Sequence, residues 1–398
     1  MDIRLSIFAI VLLFAFLQGI FYIVLFIKRG IEDDRQSDFW MAALIAALCI
    51  SNLPSMLGFM GIYILGQKMW FFPQDVGLVV GPIIYYYLRT QINTNFRFTR
   101  TDFKHFLPFI VYFVYHFGIY MMGQDMVSWW AKTVHHPFFI GDITRYIEII
   151  SLVAYMALAV NLYRKYLRWL PIERSDTEGV RFAWYQHFLW AIAIGILMAL
   201  VFFILGLWIE LSYWQDWIFR AIVATIVYYI SFAAYIQAQP RHIVFDETQV
   251  SLTAYMPIME ALDKTETITH IEEKTAEAVK LEQKISSEDL EKWRLKIETI
   301  MIQEKLYLNP ELTLSDLSDK LGTHNSLISN VINTAFQKNF NDFVNAFRVT
   351  VFKEKIKDPK LQHLTLLAIA FDCGFNSKST FNRAVKKVTG QMPSEFLK

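Results

Sequence analysis

Apolar and polar residues are arranged in two different ways along this chain. Up to residue 238 the apolar positions come in unbroken runs, at 6–27, 40–65, 70–88, 106–122, 143–163, 185–209 and 218–238. Each run is close to the roughly 20 residues an α-helix needs to cross a bilayer, so seven transmembrane helices are predicted. The first is not a cleavable leader: only Arg4 precedes it, and Lys28 and Arg29 follow at once where a small-residue cleavage site would stand. Pro73, Pro82 and Pro108 interrupt the third and fourth runs, which membrane helices tolerate when neighbours satisfy the freed backbone groups.

From Leu281 onward the apolar positions recur every three to four residues, the period of half-buried helices. Ser286 or Ser287 caps a helix bearing Leu290, Trp293, Ile297, Ile300 and Met301, whose apolar face is expected either to pack on the segment C-terminal to it or to pair with a second copy. Two helix, tight turn, helix patterns come next. In the first, Thr313 and Asp316 form a capping pair, Leu314, Leu317 and Leu321 make an apolar stripe, and Gly322 turns the chain. The helix after it, 325–336, sets Leu327, Ile328, Val331 and Ala335 against a polar face of Ser326, Ser329, Asn330 and Asn333, with Asn325 at its start. An ordinary solvated face would carry more Lys and Glu. An uncharged, amide-rich face suits base edges in a major groove that admits one helix.

A connecting helix over 340–357 is predicted to turn Phe343, Val344, Phe347 and Val351 inward. In the second pattern a mostly apolar helix ends at Gly374, Asn376 or Ser377 caps the next, and Phe381, Ala384, Val385 and Val388 face inward. Lys378, Ser379, Asn382, Arg383, Lys386 and Lys387 face outward, mixing base-reading with phosphate-binding side chains.

With Gly374, Phe375, Ser377, Ser379 and Phe381 in a G-F-x-S-x-S-x-F run and Thr389, Gly390, Pro393, Ser394, Glu395 and Phe396 in the ending, the segment 312–398 resembles the DNA-binding domain of the AraC family of bacterial regulators. The resemblance implies two helix-turn-helix units joined by a long helix, and promoter DNA as partner. The first unit departs from the pattern in having His324 where the family usually caps with Ser. The run FFPQDVGLVVGPIIYYYLR with the later HFLPFI is similar to the seven-span regions fused to AraC-type domains in Bacteroidetes-like regulators, and this implies an architecture without naming a ligand.

Composition agrees with the division. Hydrophobic residues make up 55% and charged residues only 19%, an excess that an all-soluble protein would not carry. The net charge of +1 hides an acidic stretch at 246–299 and a modestly basic end. Lys28, Arg29, Arg35, Arg89, Arg97, Arg100, Lys104, Arg164, Lys165, Arg168, Arg174 and Arg181 fall in alternate loops, whereas the opposite loops hold little beyond Lys68 and Lys132. The expected orientation is N-terminus outside and C-terminus cytoplasmic, in a bacterial inner membrane. Trp129, Trp130, Trp208, Tyr213, Trp214 and Trp217 then sit where outer interfacial anchors are expected.

The expected class is all-α: a seven-helix transmembrane sensor at 1–239, an acidic linker at 240–285, a connecting helix at 286–311 and the DNA-binding domain at 312–398. Cys49 and Cys373 offer neither a disulfide framework nor a zinc site, and no nucleophile with a base, phosphate loop or histidine metal motif is seen, so no cofactor and no catalysis are expected. Asp75, His116 and Glu148 are ionisable residues within runs three, four and five, and under this topology they share the outer half of the bilayer, forming a candidate signal pocket. The expected function is a membrane-embedded transcription regulator that couples an external or membrane signal to promoter binding, with a homodimer as one arrangement. The rival is a transporter-like or enzymatic membrane domain with an autoregulatory DNA-binding tail.

Overall fold

The computed structural model describes residues 6–62, 71–209, 213–237, 243–245, 286–361 and 363–397. The expectations on Arg4, Lys68, most of the linker and the side chains of Tyr213 and Trp214 lie outside the described residues. The chain forms two compact units, Met1–Tyr163 with Ala183–Val244, and Arg164–Phe182 with Phe245–Lys398.

Each predicted span overlaps a helix, although the third helix begins only at Gly77, after a non-helical stretch at 71–76. The helices are α1 (Ile7–Glu32), α2 (Gln36–Phe59), α3 (Gly77–Ile92), α4 (Leu107–Met121), α6 (Ile140–Glu173), α7 (Ala183–Trp208) and α8 (Tyr213–Ile236), with the short α5 (Gln124–Trp130) between the fourth and fifth. Five of the seven, α1, α2, α6, α7 and α8, are long and apolar enough to cross a membrane; α3 and α4 are shorter. Ser6 starts α1 by accepting a hydrogen bond from the Ala9 amide. Pro54 and Pro82 lie inside α2 and α3.

In the first unit α1, α2 and α8 pack together around Ala9, Leu12, Met56, Phe59 and Ala224. Gly19 lets α1 approach Cys49 of α2, where a Cβ would collide with the sulfur. At the far end of the same three helices the Arg29 guanidinium donates to both carboxylate oxygens of Asp38, at 2.6 and 2.9 Å, and to the Tyr235 carbonyl at 2.7 Å, while lying over the Phe26 and Tyr235 rings. An ion pair with both partners shielded is costly to break, so this clasp fixes the three helix ends. Outside these contacts the helices are apolar and bare: Leu107, Val111, Val114 and Met121 of α4 and Trp190, Ile194, Leu197 and Trp208 of α7 are all more than half exposed. Trp208 and Trp129 are exposed, but Trp217 donates to the Phe8 carbonyl and Trp130 to the Tyr115 hydroxyl, so those two are partly committed inside the protein.

The second unit contains α9 (Ser287–Gln303), α10 (Leu314–Lys320), α11 (Asn325–Phe336), α12 (Phe340–Lys355), α13 (Leu366–Phe371) and α14 (Lys378–Thr389). Two cores are strung on α12. Its first half supplies Phe340, Phe343 and Val344 to a core with Leu314, Leu317, Ile328, Val331 and Ile332; its second half supplies Val349 and Phe352 to a core with Ile369, Phe375, Phe381 and Val385. Each fully buried side chain of this kind contributes about 1.5 to 3 kcal/mol. The choice left open for α9 is settled by burial: Ile297 and Met301 are wholly inside the first core, with Leu290, Trp293 and Ile300 packed against it. Of the two arrangements expected for this face, packing on the chain's own domain is the one seen, and a second copy cannot use it without opening that core.

Phe245 and the segment 164–182 belong to this unit as well. The end of α6 folds back through Tyr166, whose hydroxyl donates to the Val180 carbonyl at 2.6 Å and whose ring meets Phe182 and Phe245. The loop so formed lies on the DNA-binding domain. Arg174 and Thr313 make an isolated antiparallel bridge, with the Ser175 amide donating to the Leu312 carbonyl at 3.0 Å.

Candidate nucleic-acid interface and signal site

The first helix-turn-helix unit is α10 and α11. Thr313 and Asp316 form a reciprocal capping box, as the spacing predicts, and Gly322 turns at φ +64°. His324 occupies the N-cap of α11 without a side-chain capping bond. Ser326 is exposed on the outer face, with Ser329, Asn330 and Asn333 half-buried beside it. Asn330 accepts from the Thr334 hydroxyl at 2.9 Å, which fixes its carbonyl oxygen and leaves its amino group to point elsewhere. Asn325 departs from the expectation. Its amide is tied into the turn, donating to Ser315 Oγ at 2.7 Å and accepting from Ser318 Oγ, so both ends of the side chain are used inside the unit and it serves as a strut between α10 and α11.

The second unit is α13 and α14. Thr365 caps α13, and Ser377, not Asn376, caps α14 by accepting from the Thr380 amide at 3.1 Å. Gly374 sits at φ +93°, and a Cβ there would collide with the Tyr307 carbonyl. Phe381, Ala384 and Val385 are buried, but Val388 is 46% exposed, because the last turn of α14 runs beyond the core its earlier turns cover. Lys378, Ser379, Arg383, Lys386 and Lys387 are exposed and Asn382 is half-buried. Lys387 is not a free cation: its ammonium lies 2.5 Å from a carboxylate oxygen of Asp342, at the start of α12.

The two units are locked together by Arg348, wholly buried in the middle of α12. Its guanidinium donates to the carbonyls of Tyr307 at 2.8 Å and Asn309 at 2.7 Å, to Asn345 Oδ1 at 3.1 Å and to Ser175 Oγ at 3.0 Å. Burial pulls its pKa down to about 10, with Asp176 acting in the opposite sense. It stays charged at neutral pH, and its donors are matched by acceptors, which is what a buried guanidinium requires.

Sequence reasoning did not foresee the loop that follows α6. Glu173 Oε1 accepts from both the amide and the hydroxyl of Ser315, and Asn341 donates to the Ser175 carbonyl at 2.6 Å. Further on, Asn376 donates to Asp176 Oδ2 at 2.6 Å, Ser379 to Glu178, and Arg383 to Thr177 Oγ1 at 3.2 Å. The partners are some 200 residues apart in sequence, and only the alternation of Asp176 and Glu178 with small polar residues hinted at them.

In the first unit, the three residues predicted as a signal pocket fall into one neighbourhood. Asp75 accepts from the Gly77 amide at 3.0 Å, and the Glu148 carboxylate occupies the space a side chain at Gly77 would take. Tyr112 lies within electrostatic reach of both carboxylates, and its ring centroid is 4.3 Å from that of His116 with the planes tilted by 38°. Three further residues join them. Phe71 adopts φ +73°, an uncommon conformation for a bulky residue, and its ring meets His116 and His135 at 4.8 Å each; His135 in turn lies 3.3 Å from the Tyr115 hydroxyl.

A family profile described as a helix-turn-helix domain matches residues 317–398, covering α10 partly and α11 to α14 wholly. No curated protein and no solved structure matches the chain. The C-terminal part is thus an AraC-type helix-turn-helix domain, carried on a chain with five helices able to cross a membrane.

Proposed function

We propose that the protein is a membrane-embedded one-component transcription regulator, in which seven spans receive an external or membrane signal and the C-terminal domain binds promoter DNA. The observation that carries this reading is the pair of helix-turn-helix units on one helix, with Ser379, Asn382, Arg383 and Lys386 on the outer face of α14 and Ser326, Ser329, Asn330 and Asn333 on that of α11. Neutral side chains on one reading helix and mixed ones on the other divide the work between base edges and phosphates. In cells, crosslinking the full chain to DNA should recover a small set of promoters, and Asn330→Ala should redistribute them. Uniform recovery across the genome would remove the claim of sequence-specific regulation.

Seven spans are supported by the bare apolar surface of α4, which is only 15 residues long yet exposes Val111, Val114 and Met121 as a lipid-facing helix does. The N-out orientation is supported by the charge asymmetry of the loops and by the loop after α6, whose hydrogen bonds to the DNA-binding domain require the two to share a compartment. A reporter active only in the cytoplasm should work when fused after Arg100 or Arg174 and fail within 124–142.

The signal reading rests on Asp75, His116 and Glu148, now joined by Tyr112, Phe71 and His135. Carboxylates and imidazoles collected at membrane depth, next to a strained Phe71, form a polar patch that a signal molecule with hydrogen-bonding groups fits. Changing Asp75 and Glu148 together to their amides should alter the response in cells. An unchanged response would exclude this pocket.

A further inference from the structure

The loop that joins α6 to α7 carries its acidic side chains onto the second reading helix. Asp176 accepts from Asn376 at 2.6 Å and from the Thr380 hydroxyl at 3.4 Å; Glu178 accepts from Ser379 and lies 3.9 Å from the Arg383 guanidinium; Thr177 accepts from Arg383 at 3.2 Å. These contacts fall on the start of α14, the end of a reading helix that enters the groove. They also engage Ser379 and Arg383, two of the side chains assigned to DNA. The same loop reaches the first unit at Ser315 through Glu173 and the connecting helix at Asn341 through Ser175. It is anchored by the buried Arg348, which donates to Ser175 Oγ.

We infer that this loop is an intramolecular inhibitor that occupies the DNA-reading face of α14, and that the regulator binds DNA only when residues 173–181 leave it. The Glu178 carboxylate stands where a duplex would place a phosphate oxygen or base acceptor, and Ser379 and Arg383, which face Glu178 and Thr177, cannot serve both partners at once. The Arg383–Glu178 pair is half-exposed and weak on its own, whereas Asp176 and Thr380 are buried and tie the loop more firmly. The loop is also part of the same chain, so its effective concentration at α14 is about millimolar or higher, and weak contacts suffice to hold it there. If the covered form outnumbers the open one by about ten to one, the apparent affinity for DNA falls by about the same factor.

The geometry also says how the inhibitor is moved. Residues 164–182 are continuous with α6 on one side and α7 on the other, so any displacement of the ends of those two helices acts on the loop through covalent bonds, without passing through the linker at 240–285. Arg348 keeps acceptors when the loop departs, because Tyr307, Asn309 and Asn345 belong to the domain itself. Undocking therefore exposes α14 while its supporting core stays formed. The inhibition is a property of the full chain, and it rests on the DNA-binding reading above.

The test uses the full chain in lipid nanodiscs with a fluorescent random-sequence 30-base-pair duplex at low salt as probe. Glu178→Gln with Thr177→Ala, which removes the half-exposed contacts to Ser379 and Arg383, should raise affinity about tenfold at an unchanged melting temperature. Glu178→Cys with Ser379→Cys adds a lock, since the native Cys49 and Cys373 are buried. Its oxidised form should bind at least tenfold more weakly than the reduced form of the same protein, and saturating duplex should slow formation of the disulfide. Equal binding by oxidised and reduced forms, or disulfide formation at the same rate with and without duplex, would overturn the inhibitor. Absence of binding in every form, with the disulfide formed, would overturn it through the DNA-binding reading on which it stands.

Discussion

The two helix-turn-helix units share one plan and differ in what surrounds them. In the first, an additional helix, α9, completes the core with Ile297 and Met301, and the turn glycine stands in open space. In the second, among the described residues, no added α-helix contributes; the turn glycine is pressed against the backbone of Tyr307, and the acidic loop between α6 and α7 is hydrogen-bonded to the start of α14. The first unit is thus built for stability and the second for access. Under the proposed switching, a domain must hold its shape while one face changes, and dividing the two tasks between units lets a change at α14 leave the packing around α11 in place.

The largest expected effect breaks the first unit. Ile297→Glu places a charge in a fully buried site and should destabilise the domain by about 3 to 5 kcal/mol, seen as loss of the cooperative urea transition together with loss of DNA binding. If the variant instead stays folded and only its oligomeric state changes, α9 is a pairing helix after all. Next, the turn glycines separate the units directly. Gly374→Ala forces a Cβ into the Tyr307 carbonyl at a positive φ and should cost about 2 to 4 kcal/mol, whereas Gly322→Ala, with nothing nearby, should cost about 1 kcal/mol from φ alone. Equal losses in thermal melts would mean that the tight approach at Gly374 relaxes freely.

Smaller effects distinguish reading from anchoring. Asn330→Ala should cost about 1 to 3 kcal/mol on a specific operator and little on random DNA. Lys387→Ala should weaken all sequences alike, and by less than Lys386→Ala, because Lys387 already pairs with Asp342; the slope of affinity against salt is the measurement. The smallest contrast is in the caps. Ser377→Ala should lose about 1 kcal/mol and His324→Ala almost nothing, since only Ser377 accepts a bond from its helix.

Most of the architecture could be read from the chain because its causes are local. Membrane-length apolar runs located the five helices that are long and apolar enough to cross a membrane, and the Thr313 and Asp316 spacing foretold a capping box that is present. Periodicity shows that a helix has an apolar face but says nothing of what covers it, which is why the face at Ile297 suited both pairing and packing until its burial was seen. The same limit misplaced Val388, whose spacing is correct but which lies past the end of the core. Asn325 was assigned to DNA by residue type, yet its amide is consumed by Ser315 and Ser318, hydroxyls that no pattern marks as partners. The acidic loop was the least legible feature. Its bonds join residues roughly two hundred positions apart, and a short polar stretch between two spans reads as an ordinary connection.

The connecting helix sets the grammar of the DNA that the domain can read. Both cores are fastened to α12, a single 16-residue helix whose rise of about 24 Å leaves no joint between the two reading helices. Under the proposed function, two reading helices on one spacer accept their base contacts only at a fixed separation and phase. A single base pair inserted between the two contacted segments turns the second away by about 35°, one step of the roughly 10-base-pair helical turn, and the protein has no compliance with which to follow. Natural target sites should therefore vary in the letters under each helix and hardly at all in the distance between them.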